Sequence, residues 1–183
     1  VGYQIIKRAK FLAFTGLAES IDGGESFKRV SETPVMDRSD EGIYIRGIHS
    51  VRRRNDGDYE CWYSAGNSWT NIEGKDYPDY HTNYCTTNNL EGFPKLGKEV
   101  LKPRGIQYRL GRARITTIRE TDYLFYTTGG KDGSYILGVA KKINDEWINQ
   151  KAGISLSKEG WDNKHLCYPS IIQSEGRYYM FYN

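Results

Sequence analysis

The sequence has few cysteines and no long apolar segment. Only Cys61, Cys85 and Cys167 occur among its 183 residues, and no two of them form a CxxC pair. An odd number of separated cysteines argues against the disulfide framework of a small secreted protein, so reduced thiols are expected. No apolar run is long enough to cross a membrane, and the first residues do not form a signal peptide. The expectation is a cytoplasmic protein without membrane contact.

The sequence also has little net charge. Its +3 comes from 26 Lys and Arg against 23 Asp and Glu, which is too small to hold a nucleic-acid backbone along a broad basic face. The basic run 52–54 comes just before Asn55-Asp-Gly57 and is expected at the solvated end of a hairpin; nucleic-acid binding by this run is the alternative.

No cofactor or metal is expected. The sequence has no glycine-rich loop that joins a strand to a helix, so nothing indicates a nucleotide cofactor. His81 and Cys85 have the spacing of zinc ligands only if they lie on a helix, and their surroundings are typical of a strand. We therefore predict no metal site there.

Aromatic residues, in contrast, are abundant. They make up 14% of the chain, with 15 tyrosines, although hydrophobic residues are only 38%. This balance favours many short strands with one face in a core and the other in water, and so predicts an all-β fold. A unit of strand, turn and aromatic strand occurs three times, ending at Tyr63, Tyr126 and Tyr182, at intervals of roughly 60 residues.

Units of about four antiparallel strands at this spacing are typical of β-propeller blades. We predict one propeller domain over residues 1–183, with blade segments at approximately 1–38, 39–103, 104–158 and 159–183. This is about three blades' worth, and a closed propeller needs about four to eight. The chain is therefore expected to be a fragment of a longer one, or to form a homo-oligomer through its open blade edges. The polar stretch 67–80 is predicted to be a long loop.

Several motifs resemble those of the five-bladed propellers of the arabinanase, invertase and levansucrase glycoside hydrolases. They are Ala18-Glu-Ser20-x-Asp22-Gly-Gly-x-x-Phe27, Glu60-Cys-Trp-Tyr63 and Tyr179-Met-Phe-Tyr182. The segments Gly160-Trp-Asp162, Cys167-Tyr-Pro169 and Met180-Phe-Tyr-Asn183 are similar to relatives found among bacterial polysaccharide genes. The resemblance implies a partial five-bladed propeller that binds a carbohydrate in its central funnel. The first motif also resembles the Asp-box of sialidase propellers, which is a structural turn.

The resembling enzymes place a catalytic carboxylate one or two residues before a proline-like position of the inner strand. When Ala113 is aligned with Pro169, these positions are 111–112 in one blade and 167–168 in the next. None of them is acidic, and 46–49 in the first full blade contains no acid either. The family's catalytic residues therefore cannot be transferred to these blades.

Acidic residues do occur close to the inner strands. Glycoside hydrolysis requires two carboxyl groups, one that protonates the leaving oxygen and one that acts as base or nucleophile. The alternative is that these acids are solvated or cap turns in the connections. The catalytic candidates are Asp40, Glu41 and Asp162.

The inner strands offer basic and aromatic residues as ligand-binding candidates. Converging guanidiniums bind carboxylate or phosphate groups bidentately, which predicts an acidic sugar or a sugar phosphate. The alternative is that the arginines pair with acids between blades. An aromatic residue of the 67–80 stretch would stack on a sugar ring or simply cover the blade. The candidates are Arg46, His49, Trp69, Arg112, Arg114, His165 and Tyr168.

The leading hypothesis is a glycoside-hydrolase-like propeller that binds a carbohydrate and hydrolyses or transfers it. The competing hypothesis is a non-catalytic propeller that binds carbohydrate or another protein.

Overall fold

A computed structural model describes residues 11–183, which consist of β-strands and their connections. The all-β expectation is therefore confirmed. Within this part of the chain no helix is long and apolar enough to span a bilayer.

The first strands are short and form the outer part of a blade. They are β1 (Ala13–Phe14), β2 (Ala18–Glu19) and β3 (Lys28–Arg29), and β2 pairs with β3 in antiparallel orientation. The turn between β2 and β3 is closed by Asp22, which accepts hydrogen bonds from the hydroxyl of Ser20 (2.6 Å) and the backbone N–H of Ser26 (3.0 Å). These local bonds agree with a structural turn.

Two complete blades follow, each an antiparallel sheet of four strands. The first contains β4 (Ile45–Arg53), β5 (Tyr59–Ile72), β6 (Lys75–Thr87) and β7 (Lys98–Leu101); the second contains β8 (Gln107–Ile118), β9 (Thr121–Gly130), β10 (Tyr135–Ile143) and β11 (Glu146–Gln150). A last hairpin of β12 (Ser170–Ser174) and β13 (Arg177–Phe181) begins another blade. Neighbouring blades touch through short parallel pairings, such as Tyr80 with Arg109 and Tyr135 with His165.

The stretch 67–80 is not a loop, and that prediction is wrong. It continues β5 and β6 as a long hairpin, with Trp69 opposite Pro78, and ends in a two-residue turn at Glu73 and Gly74. Both turn residues have positive φ (49° and 80°), which matches the twist of a tight hairpin. Residues 67, 68, 71 and 73–76 of this arm are exposed, whereas Tyr77 packs against Tyr108 of the next blade. Its polar sequence therefore reflects a partly solvated ladder rather than missing regular structure.

The cores lie between blades, and β5 contributes to two of them. Trp62 packs with Leu110 and Leu124 of the next blade, whereas Tyr63 packs with Met36 of the preceding one. Because successive side chains of a strand point to opposite faces, a strand buried on both sides reads as a continuous apolar run. This explains Glu60-Cys-Trp-Tyr63, in which every residue is buried.

A buried carboxylate holds the connection before β4 onto the first full blade. Oε1 of Glu41 accepts hydrogen bonds from Nε of Arg46 (3.1 Å) and the hydroxyl of Tyr63 (2.7 Å). Oε2 accepts from Nδ2 of Asn83 and the backbone N–H of Gly97, both at 2.8 Å. Only 3% of the Arg46 side chain and 10% of the Glu41 side chain are exposed. The pair therefore fixes the start of β4 against β5, β6 and the segment before β7.

Replacing Glu41 by Gln should destabilise the fold. The change leaves the guanidinium of Arg46 buried without an opposite charge, and breaking one half of a buried pair costs roughly 3 kcal/mol. Urea unfolding monitored by tryptophan fluorescence measures the change. Glu25→Gln, which removes an exposed carboxylate in the first turn, is the control. Equal stability of the two variants would contradict the assigned role.

Candidate functional site

Two residues, one in β8 and one just before β12, have backbone conformations that the turns do not explain. Among residues 11–183, eight non-glycine residues have positive φ, and six of them lie in two-residue hairpin turns. The other two, Arg112 and Tyr168, both have φ of 57°. A left-handed conformation costs a non-glycine residue of the order of 1 kcal/mol and concentrates at functional sites. These two positions therefore mark a candidate site.

The two residues occupy the same place in their blades, and His49 occupies it in the first full blade. The same interval separates His49 from Tyr63, Arg112 from Tyr126 and Tyr168 from Tyr182. The ladder is irregular at His49, between Ile48 and Ser50, and at Arg112, between Gly111 and Arg114. Bulges of this kind redirect side chains next to active sites.

The three equivalent residues approach one another. The guanidinium carbon of Arg112 lies 4.9 Å from the ring centroid of Tyr168. The backbone N–H of Tyr168 donates to Oγ1 of Thr127 (2.9 Å), and Nε2 of His49 lies within hydrogen-bond distance of Oγ of Ser64 (2.8 Å). The pKa of His49 is lowered from 6.5 to about 4, first by burial and then by the charges of Arg112 and Arg114. The imidazole is therefore neutral near pH 7 and faces a positive field.

A cleft of about 360 Å³ opens beside this group, where β6, β8 and β10 come together. Aromatic side chains dominate its lining, and no carboxylate is among them. Burial raises the pKa values of Tyr108 and Tyr135, so their phenols are neutral and can both donate and accept hydrogen bonds. The lining includes Tyr77, Tyr108, Arg109, Tyr135, His165 and Tyr168.

Arg109 lies among the tyrosines of this cleft. Its guanidinium carbon is 4.4 Å from the ring centroid of Tyr135, 4.8 Å from that of Tyr108 and 5.5 Å from that of Tyr77. Its Nε is buried without a hydrogen-bond acceptor. A side chain at Gly129 would meet this nitrogen, since an added Cβ would lie 2.7 Å from it. The glycine thus makes room for the guanidinium.

The predicted acids lie in structural surroundings. Glu41 uses both carboxylate oxygens in the contacts that fix β4. Asp162 is buried and accepts a hydrogen bond from the hydroxyl of Tyr182 (3.2 Å). Asp40 is exposed in a turn, where its carbonyl oxygen accepts from the side chain of Asn67 (2.6 Å). None of the three lines the cleft, and their catalytic role stays a prediction that these contacts do not favour.

The predicted binding residues divide between the cleft and other places. His165 and Tyr168 line the cleft, and Arg112 contacts Tyr168. Arg46 is enclosed by Glu41 and by the carbonyl oxygens of Asp37 (2.8 Å) and Pro94 (2.6 Å), so the alternative of an ion-paired arginine describes it. Trp69 packs edge-on against Tyr44 with centroids 5.6 Å apart and does not line the cleft.

The sequence reasoning missed Arg109, Tyr108 and Tyr135. Along β8 it considered positions 111–114 and not the preceding residues. In sequence Arg109 stands between Tyr108 and Leu110, which are both buried, so it looks like an ordinary solvated position of a strand and gave no signal. Among residues 11–183 no group of His, Cys, Asp or Glu is arranged to hold a metal ion.

Comparison with known proteins adds the fold but no family assignment. No protein-family model matches the sequence, and no curated protein sequence matches it. An α-L-arabinofuranosidase from Lactobacillus brevis is similar in structure, with a TM-score of 0.51 and 8% identity over 74% of this chain and 44% of that one. A thermostable family-43 glycoside hydrolase has a TM-score of 0.48 and 14% identity, over 79% of this chain and 44% of that one. The α-L-arabinanase of Cellvibrio cellulosa has a TM-score of 0.41 and 16% identity, over 55% of this chain and 35% of that one.

The chain thus spans less than half the length of these structures. Its likeness to the arabinofuranosidase is one of fold, and the expected β-propeller architecture is confirmed at that level.

The lowered pKa of His49 predicts a pH-dependent stability. Between about pH 6.5 and pH 4 the unfolded chain binds a proton at this residue and the folded chain does not, so stability should fall as the pH falls through this window. The loss should reach roughly 3 kcal/mol. Urea unfolding of the original protein and of His49→Gln, measured at closely spaced pH values, isolates the contribution of His49. A constant difference between the two proteins over the window would refute it.

Proposed function

We propose that this protein binds a carbohydrate in the tyrosine-lined cleft beside Arg112 and Tyr168. The observation that carries the proposal is that two residues with strained backbones, one in β8 and one just before β12, meet beside a cleft whose lining is mainly aromatic. Tyrosine rings offer apolar faces to the C–H groups of a sugar and hydroxyl groups to its polar edges. The volume of about 360 Å³ lies within the range of small-molecule sites.

The exposure of Tyr168 supports contact with a ligand rather than core packing. Tyr168 is 44% exposed, although its backbone is held by the bond to Thr127 and its conformation is strained. A residue that served only to fill space would be buried and would have no reason to retain a left-handed backbone. An exposed ring in a fixed position is suited to stacking on a ligand.

The proposal is binding rather than cleavage by the described residues. Hydrolysis of a glycoside requires two carboxyl groups on opposite sides of the scissile bond. The cleft lining contains arginine, histidine and tyrosine but no carboxylate among residues 11–183. Asp40, Glu41 and Asp162 remain the acids to test for turnover, and a loss of product release in Asp162→Asn would support catalysis.

Replacing Tyr168 by Asn should weaken carbohydrate binding about tenfold, because one stacking ring is lost. Asparagine tolerates a positive φ, so the substitution removes the ring without adding backbone strain. A glycan array identifies ligands, and isothermal titration calorimetry measures their affinities for both proteins.

Tyr179→Asn is the matched control, because Tyr179 is 43% exposed and lies on β13 outside the cleft. Affinity should be unchanged in this variant. Equal losses in the two variants, or no glycan bound by the original protein, would reject the proposed site.

A further inference from the structure

The arginines of β8 differ from Arg46 and Arg52 of β4 in having no acid partner. Arg46 pairs with Glu41, and Arg52 pairs with both Glu60 and Asp122 at 2.7 Å. The β8 side chains of Arg109, Arg112 and Arg114 make no ion pair within the described part of the chain, and they donate no conventional hydrogen bond there. Both strands are inner strands of complete blades, so the difference is not one of position in the fold.

The surroundings of Arg109 hold its charge without neutralising it. Three tyrosine faces lie within 5.5 Å of the guanidinium carbon and attract the cation through their ring quadrupoles. The rings carry no net charge at neutral pH, because burial raises the pKa values of Tyr108 and Tyr135. A partly buried cation that has no counter-ion is normally costly. The cleft therefore contains a positive charge that is positioned but unpaired.

The geometry of the Arg109 guanidinium indicates which ligand group would pair with it. Nε of Arg109 is buried, whereas the guanidinium lines the cleft. The end of the guanidinium presents two parallel N–H donors that match the two oxygens of a carboxylate. Arg112, in contact with Tyr168, adds a second positive charge. The pKa of His49 is lowered first by burial and then by the charges of Arg112 and Arg114.

We propose that the carbohydrate carries a carboxylate, as a uronic acid does, and that Arg109 binds this group while Arg112 and Tyr168 contact the neighbouring part of the ligand. This inference rests on the proposed carbohydrate-binding function and specifies its ligand. A carboxylate would pair with the guanidinium of Arg109 among the tyrosines. A phosphate or sulfate ester has a similar pair of acceptor oxygens, and the experiment below distinguishes it from a carboxylate.

The experiment compares each acidic oligosaccharide with its carboxyl-reduced counterpart, which has the same ring stereochemistry and no charge. Short oligomers of galacturonate, mannuronate, guluronate and glucuronate form the acidic set, and hexose 6-phosphates and 6-sulfates form a second set. Calorimetric titration should find at least one uronate oligomer that binds, with its reduced counterpart about 10- to 100-fold weaker, as expected for the loss of a charge-assisted hydrogen bond.

Arg109→Gln should bring the affinity for the acidic ligand close to that for the reduced one, with a much smaller loss for the reduced ligand. Arg53→Gln, which removes an exposed arginine of β4, should affect neither. If near-UV circular dichroism shows that Arg109→Gln is misfolded, Arg112→Gln replaces it, since Arg112 is exposed, and a several-fold selective loss is expected.

Each other outcome rejects the inference in a distinct way. Equal binding of an acidic oligomer and its reduced form would reject recognition of a carboxylate and leave the proposal of carbohydrate binding intact. Preference for the phosphate or sulfate esters would overturn the choice of carboxylate. Binding of neutral glycans alone would overturn the inference, and binding of no glycan would overturn the proposed function with it.

Discussion

Burial of each blade between its neighbours is the constraint on which the rest of this structure depends. Trp62 and Tyr63 are adjacent in β5 but enter different cores, so the strand is fixed from both sides. Burying side chains of this size contributes roughly 1.5–3 kcal/mol each, which exceeds the cost of a left-handed residue nearby. The chain can therefore hold Arg112 and Tyr168 in unfavourable conformations, because the packing of the neighbouring strands outweighs that cost.

The charges are distributed according to the same architecture. Arg46 lies under a connection and Arg52 lies between blades. Both are paired with acids, and these ion pairs hold the neighbouring segments together. Where β8 faces the cleft, tyrosines replace acids around Arg109. Tyrosine supplies cation-binding faces and hydrogen-bonding groups without cancelling the charge. The structure thus separates arginines that stabilise the fold from arginines that remain available.

The sequence predicted the fold class and the repeated aromatic strands, because these follow from local periodicity and composition. It did not predict that 67–80 continues a hairpin, since a solvated two-stranded arm has the polar composition of a loop. It also could not distinguish Arg46 from Arg112. The partners of Glu41 in the same network, such as Asn83 and Gly97, are distant in sequence, and only the folded chain brings them together. Arg109 was missed because only positions 111–114 of β8 were considered as site positions.

The positive φ at Arg112 and Tyr168 has a consequence for attempts to make this protein more heat-resistant. Glycine is the residue that this backbone conformation suits best, and it would relieve of the order of 1 kcal/mol at either position. Selection for thermal tolerance alone would therefore favour the loss of the two side chains that meet above the cleft. A more stable molecule obtained in this way would lack two side chains of the proposed binding site, so stability and the proposed recognition are opposed at these two positions.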